Sequence, residues 1–448
     1  MILYYGDLAI RDANPDDAGQ LCAWWNDGKI MAHAGFPNGL SETPDTIRKS
    51  LAQDSDDRGR RHMIELGGKP IGEMNYRNKG SGTAEIGIKI CDFAQQNKGY
   101  GTTLLTMFID ALFTYYGYEK IILDTNVKNR RAQHVYERKL GFRCLGTREH
   151  SWLDQLGEPQ YSIDYELAKE DWETARTRFP YIRIRLETPD DYRQTEELTK
   201  AAFWKNTDRG VIVDEHLLVH RLRKLPVFIP ELNYLAQIGG KIVGNVLYSK
   251  AKIVSPDGLE HPVLTFGPLS VLPEYQNRGV GKALMRFTIQ EARRLKYSAI
   301  VICGEPDYYP RFGFRRAKEF GLTCGDGGVF DAFMAMELIE GALCGIGGRY
   351  YEDSVFHTMA ADEVAEFDRD FPQMTPRPIV PVDALLSRLD SAAADAIRSL
   401  NLPCLGALRS RSQAEISSLP GIDDKAIQTI RTVMREHGRI WGEGGERL

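Results

Sequence analysis

Two stretches of the chain run through the same order of apolar and polar patterns. Residues 61–66, 69–75 and 83–91 mix apolar and polar side chains in short runs that read as strands. Gly67-Gly68 and Gly80-Ser81-Gly82 separate them, which is the punctuation of an antiparallel meander. Residues 102–116 then place apolar side chains on one helical face. An apolar strand over 120–125 and a second helix over 130–139 follow. The order returns further on. Residues 234–238, 241–249 and 263–271 read as a meander, 281–295 as a helix and 299–303 as a strand.

The likeness extends to individual residues. Ile10-Arg11-Asp12-Ala13-Asn14-Pro15-Asp16-Asp17 is echoed by Ile184-Arg185-Leu186-Glu187-Thr188-Pro189-Asp190-Asp191. Each reads as a strand running into a helix, with Asn14 or Thr188 as N-cap, proline at the first helical position and aspartates at the positive end of the helix dipole. Gln96-Asn97-Lys98-Gly99-Tyr100-Gly101 returns as Gln276-Asn277-Arg278-Gly279-Val280-Gly281, and Leu140-Gly141-Phe142 as Phe312-Gly313-Phe314. Each echo lies 172 to 180 residues after its original. Three matches in one order at nearly one spacing predict two copies of one fold, divided near Asp171 to Tyr181.

Composition adds limits. With 448 residues, 42% hydrophobic and 27% charged, the chain has room for two or three ordinary globular domains. A net charge of −5 gives no general attraction to nucleic acid. The seven cysteines form no CxxC pair, so reduced thiols and no metal site are expected. No basic segment followed by an apolar stretch opens the chain, and no apolar run reaches membrane-spanning length. A cytoplasmic protein without a membrane partner is expected.

The repeated glycine loop carries the chemistry. In both copies it follows a strand and opens a helix, where free backbone N–H groups and the helix dipole suit a pyrophosphate. Glycine lets the chain bend and a ligand approach the backbone. A P-loop is excluded, because Gln276 stands where its first glycine belongs and Ala283 follows Lys282. The dinucleotide fingerprint also fails on glycine spacing.

At these residues the chain resembles the GNAT acetyltransferase superfamily, whose hallmark is Q/R-x-x-G-x-G/A after the fourth strand. The likeness covers nearly all of residues 1–370. The first copy is similar to the branch of ribosomal-protein alanine and some aminoglycoside acetyltransferases, through Ala84-Glu85-Ile86-Gly87, Asn126-Val127-Lys128-Asn129-Arg130-Arg131-Ala132 and Tyr136 before Leu140-Gly141-Phe142. The second resembles the YhbS-like branch, through Gly267-Pro268-Leu269-Ser270-Val271-Leu272-Pro273-Glu274-Tyr275-Gln276 and Tyr308-Tyr309-Pro310-Arg311-Phe312-Gly313-Phe314. The fold class implied is α/β (α+β): two tandem GNAT folds with mixed, mostly antiparallel sheets over residues 1–172 and 180–371, then a small all-α domain over 379–448.

The resemblance implies acetyl-CoA as cofactor and direct attack of a primary amine on its thioester. Splayed fourth and fifth strands would hold the pantetheine, with backbone groups near Ile90 and Cys91 and near Leu269 and Val271 in contact. The loops Gln96, Asn97, Lys98, Gly99, Tyr100, Gly101, Thr102 and Gln276, Asn277, Arg278, Gly279, Val280, Gly281, Lys282 would bind the pyrophosphate. Asn129 would add a cofactor contact. A carboxylate must accept the amine's proton. Glu85 is the candidate and Glu73 the runner-up, against the plain reading of both as solvated strand residues. Tyr136 and Tyr309 occupy the family's place for protonating the departing thiolate. Tyr309 lies four residues before Gly313, the usual spacing, whereas Tyr136 lies five before Gly141, which would rotate its hydroxyl away.

Cys91 and Cys303 read as small core residues. Trp24, Trp25, His33 and Phe36 could line an acceptor pocket, although aromatic residues near a helix are more often core. In the tail, Pro372, Pro376, Pro378 and Pro381 mark a linker. Residues 382–400, 413–419 and 425–436 then read as helices. Leu405 to Ile427 resembles a helix-hairpin-helix unit, most similar to the C-terminal domain of the bacterial RNA polymerase alpha subunit. Asp423 and Asp424 stand where such hairpins meet phosphate, which opposes nucleic acid, while Lys425, Arg431, Arg435 and Arg439 could form a basic face. Partners under this reading are an amine acceptor, small-molecule or peptide, and a second copy in a homodimer, with nucleic acid only through the tail. The alternative is that one copy is a non-catalytic scaffold and the tail a docking module of a regulatory protein.

Overall fold

A computed structural model of the protein describes residues 1–175, 180–206, 213–357, 359–374, 380–402, 404–410 and 413–437. Part of the expected boundary stretch, together with Pro376, Pro378 and Arg439, lies outside the described residues. So does the side chain of Arg435. The chain divides into two compact units, Met1–Ile184 and Arg185–Leu448.

Unit 1 opens with strands β1 (Ile2–Tyr5) and β2 (Leu8–Asp12) and helices α1 (Ala18–Trp25), α2 (Gly28–Met31) and α3 (Pro44–Leu51). Strands β3 (Gly59–Leu66), β4 (Lys69–Asn78) and β5 (Thr83–Ile90) form the expected meander, each antiparallel to the last. Helix α4 (Tyr100–Thr114), strand β6 (Lys120–Asn126), helix α5 (Arg130–His134), strands β7 (Arg143–Leu153) and β8 (Pro159–Ala168) and helix α6 (Lys169–Ala175) complete it. Strand alternation explains the layering. Ile64, Met74, Ala84, Ile86 and Ile121 point to one face, where Leu104, Phe108 and Leu112 of α4 cover them. Met63 and Cys91 point to the other face and pack with Leu21, Trp24, Ile47 and Leu51 of α1 and α3.

Unit 2 repeats this order. Strand β9 (Ile182–Leu186) stands at the boundary, and helices α7 (Tyr192–Asn206) and α8 (Glu215–Leu222) follow it. The meander is β10 (Tyr234–Ile238), β11 (Lys241–Val254) and β12 (Glu260–Val271). Helix α9 (Val280–Arg294) and strand β13 (Ala299–Cys303) come next, then short strands β14 (Arg315–Arg316), β15 (Leu322–Cys324), β16 (Phe333–Glu337) and β17 (Gly348–Tyr351). Strand β16 lies antiparallel to β13, and β17 returns to pair with the far end of β11. Helix α10 (Ala361–Phe367) ends this part.

The tail holds α11 (Asp383–Leu386), α12 (Ser391–Ser399), α13 (Gln413–Ser417) and α14 (Asp424–Glu436) around its own core of Leu385, Ile397, Leu405, Leu408, Ile416, Ile430 and Val433. The single helix expected over 382–400 is two. Asp390 breaks it by capping the second piece, its Oδ1 accepting from the Ala393 N–H at 2.9 Å. Asp423 caps α14 the same way, accepting from the Ala426 N–H at 2.7 Å. Among the described residues no helix is long and apolar enough to cross a membrane.

Candidate functional site

Each unit has a cavity where two parallel strands part. In unit 1, β5 and β6 pair only at Thr83↔Lys120, Ala84↔Ile121 and Glu85↔Ile122. Beyond that point residues 86–90 of β5 and 124–126 of β6 line opposite walls of a cavity of about 540 Å³. In unit 2, β12 and β13 pair only at Leu264↔Ile300, and Thr265, Leu269 and Val271 then face Cys303 across a cavity of about 700 Å³.

The repeated loops share one backbone. Asn97 and Asn277 have φ of 62° and 61°, and Gly99 and Gly279 have φ of 81° and 85°. Two left-handed residues two apart turn the chain sharply into α4 and α9. The glutamines tie each loop back to its strand: Gln96 Nε2 donates to Ile90 O at 2.8 Å, and Gln276 Nε2 to Val271 O at 3.1 Å. In unit 1 the first amide to bond back to Gly99 O belongs to Thr102, at 3.1 Å. Helix-opening amides before such a bond are available to an anion. Nothing would meet a Cβ at Gly99, Gly101 or Gly279, so these turns are open to an approaching ligand. An open, amide-lined turn at the mouth of a cleft between strands fits a pyrophosphate carrying a long thioester arm.

The predicted residues are distributed as follows. Ile90, Gln96 and Asn129 line the first cavity. Asn129 also caps α5, accepting from the Ala132 N–H at 3.2 Å. Asn97, Lys98, Tyr100, Gly101 and Thr102 continue from Gln96 into α4, and Asn97 Oδ1 accepts from Arg131 Nη1 at 2.7 Å. The side chain of Cys91 is buried in the core on the other face, and burial pushes its thiol up to about 12. Leu269, Val271, Gln276, Asn277, Gly279, Val280, Gly281 and Lys282 all line the second cavity. The Arg278 guanidinium lies 5.6 Å from the Tyr275 ring. Cys303, expected in the core, is exposed at the end of β13 and lines the cavity, because β12 has parted from β13 there while β16 still pairs with it at Cys303↔Phe333.

The carboxylates separate. Glu85 stands where β5 and β6 are still paired and does not line the first cavity; its Oε2 lies 3.6 Å from Lys79 Nζ. Glu73 lies on the same face of the sheet but opposite Lys89, in the cavity wall. It is buried, accepts from Trp25 Nε1 at 2.9 Å and lies 2.7 Å from Lys89 Nζ.

Tyr136 faces the first cavity despite its unusual spacing. The extra residue is absorbed in a single wide turn over Val135–Lys139, in which the Leu140 N–H reaches back five residues to Val135 O. The Tyr136 ring packs on Phe142 and Tyr165 and lines the cavity. Burial, with Asp124 nearby, pushes its hydroxyl up to about 12. Tyr309 packs on Phe266 and Phe314, and burial raises it too. A Cβ at Gly304 would stand 2.3 Å from the Tyr309 ring, so glycine there makes room for it.

Of the aromatic acceptor candidates, His33 lines the first cavity, Trp25 holds Glu73, Trp24 is core and Phe36 is partly exposed. Sequence reasoning missed Trp152, Asp124 and Lys89 in unit 1 and Phe203, Glu215, Glu352 and Phe356 in unit 2. Trp152 arrives from the β7–β8 hairpin, whose Gln155 reaches across to Gly39 O and the Asn38 N–H. No local pattern marks residues that distant parts of the chain bring together.

The acetyltransferase (GNAT) domain family matches residues 7–143, and the same description matches residues 230–316, together half of the chain. The Escherichia coli N-acetyltransferase YjhQ is 37% identical over 86 residues, which cover 19% of this chain and 46% of YjhQ. This chain thus spans less than half of that relative. Escherichia coli YhbS is 28% identical over 171 residues, 38% of this chain and 96% of YhbS. Similar solved structures include Escherichia coli YhbS in complex with CoA, at 25% identity, covering 40% of this chain and 93% of that one with a TM-score of 0.35. Another is spermidine N-acetyltransferase from Vibrio cholerae in complex with CoA and spermine, at 25% identity, covering 38% and 99% with a TM-score of 0.35. The chain carries two tandem GNAT acetyltransferase domains, the second YhbS-like, and acetyl-CoA is the cofactor such domains use.

Proposed function

We propose that the protein transfers an acetyl group to a primary amine, with a working site in each unit. The observation that carries this reading is the repeated loop, folded alike in both units beside a cleft between parting strands. When bound there, acetyl-CoA supplies an activated thioester. In unit 1 the amides of Gly99, Tyr100 and Gly101 would receive the pyrophosphate, and Ile90 and Asn129 would flank the arm. At the acceptor end Glu73, oriented by Trp25 and Lys89, takes the proton that the amine must lose. Glu73 is preferred to Glu85 because only Glu73 lines the cavity. The Tyr136 hydroxyl, held protonated by burial, gives a proton to the departing sulfur. Tyr309 has the corresponding place in unit 2.

The test is thiol release with spermidine, kanamycin and a peptide N-terminus as acceptors, in a chain whose second loop carries Gly279→Val. Glu73→Gln is expected to lower kcat at least about a hundredfold, the low end for a general base. An unchanged kcat would remove Glu73 from this role.

We propose further that residues 1–172, 180–371 and 379–448 are separate domains and that the tail is a protein-docking module. The separate core of the tail supports the division. The Asp423 carboxylate supports docking over nucleic acid, since it already occupies the helix N-terminus a phosphate would need.

A further inference from the structure

We infer that unit 2 accepts a primary amine carried on an apolar or aromatic body, with Glu352 receiving the ammonium and Phe203, Leu218 and Phe356 enclosing the body. This rests on the acetyltransferase reading of unit 2. The cavity of about 700 Å³ has two sides built by different elements. Gln276, Asn277, Gly279 and Lys282, from the loop and the first turn of α9, form the phosphate side. Phe203 of α7, Leu218 of α8, and Glu352 and Phe356 just after β17 form the other. None of these four falls within residues 230–316, so the family match does not account for them.

Glu352 is placed rather than loose. Strand β17 pairs with β11 through Lys252↔Tyr351, one residue away. The buried Tyr350 hydroxyl donates to Glu352 Oε2 at 2.9 Å. Leu218 is buried and packs with Phe356, and Glu215 adds a second carboxylate to the same side. An ammonium entering between apolar walls loses hydration, and a carboxylate at the end of the path offsets that loss. Glu215 stands on the same side as Glu352, so an extended acceptor with several ammonium groups would leave those beyond both carboxylates against Phe203 and Phe356, which is costly. The first cavity is more cationic, with Lys29, Lys89 and Arg131 beside Glu73 and Asp124, whereas the second sets Glu215, Glu305 and Glu352 beside Lys282 and Arg311.

The test uses the full chain with its first loop disabled by Gly99→Val. The probes are 2-phenylethylamine and spermidine, read by thiol release. Phenylethylamine is expected to be acetylated with kcat/KM at least about tenfold above spermidine. Glu352→Gln should raise the KM for phenylethylamine about tenfold, the scale of one lost charged contact. Acetyl-CoA binding by calorimetry should be unchanged in that variant. Phe203→Ala should raise the KM for phenylethylamine more than that for methylamine, a readout that survives if the glutamate variant fails to fold. Preference for spermidine, constants unmoved by both substitutions, or binding of acetyl-CoA without acetylation of phenylethylamine would each overturn the proposal. Failure of the chain to bind acetyl-CoA at all would instead sink the acetyltransferase reading, and this proposal with it.

Discussion

His216 is fully buried, with its ring beside Phe367 and Phe371 and its Nε2 2.7 Å from Asp368 Oδ1. Lys200 reaches the same Asp368 oxygen at 2.7 Å, and Arg193 lies over Phe371. Burial outweighs the attraction of Asp368 and pushes the imidazole down to about 4. The folded state therefore holds His216 neutral at a pH where the unfolded chain takes up a proton. The contribution of His216 to stability is constant well above pH 6.5 and falls as pH drops from there to 4, by on the order of 3 kcal/mol. Thermal melts across that window should decline for the wild type and decline less for His216→Asn; equal slopes would show that another group governs the acid limb. The catalytic candidates were legible to different degrees at this scale. Both tyrosines could be proposed from their place after the fifth strand, but the distance to the Gly-Phe pair was the usual one only for Tyr309. Sequence reasoning ranked Glu85 before Glu73, and the proposal reverses that order, because both lie on one face of the sheet and only the point where β5 and β6 part separates them.

Elements show the duplication as physical motifs. The Arg11 guanidinium forks onto Asp17 at 2.7 and 2.7 Å, and Arg185 onto Asp191 at 2.7 and 2.6 Å. Those aspartates also close the capping boxes begun by Asn14 and Thr188. One carboxylate thus caps a helix and fastens it to its preceding strand, which is why the echo keeps both the arginine and the second aspartate. The wide turn at Val135–Lys139 breaks the symmetry between the copies. Sequence spacing implied a rotated Tyr136; the turn keeps the ring in the cavity wall by taking up one residue without a change of face. Deleting Arg138 should convert the wide turn into an ordinary one. The expected result is a folded chain by circular dichroism with kcat of unit 1 kept, because the deletion restores the four-residue spacing of Tyr309 to Gly313. A loss of about tenfold or more would show that the wide turn itself is needed to aim the tyrosine.

At the scale of the whole chain, each unit carries its own core and its own loop. Two acetyl-CoA molecules should bind per chain in calorimetry. Gly99→Val and Gly279→Val should each remove one, since a branched residue at these left-handed positions costs roughly 1–2 kcal/mol of strain and covers the open turn. A single wild-type site, lost with only one of the two substitutions, would identify the other unit as scaffold.

The sequence by itself determined what local chemistry dictates: the meanders, the helix after each loop, the glycines that let the loop bend, and the caps before the first helices. These depend on residues within a few positions of one another, so pattern and spacing suffice. Only the tertiary structure decided where the strands part, and therefore that Glu73 and not Glu85 meets the first cavity, and that Cys303 is exposed. It alone brought Trp152 against the loop after α2, and Glu352 and Phe356 into the second cavity. Cavity walls are assembled by register and packing between segments far apart in the chain, and no period along a single segment records them.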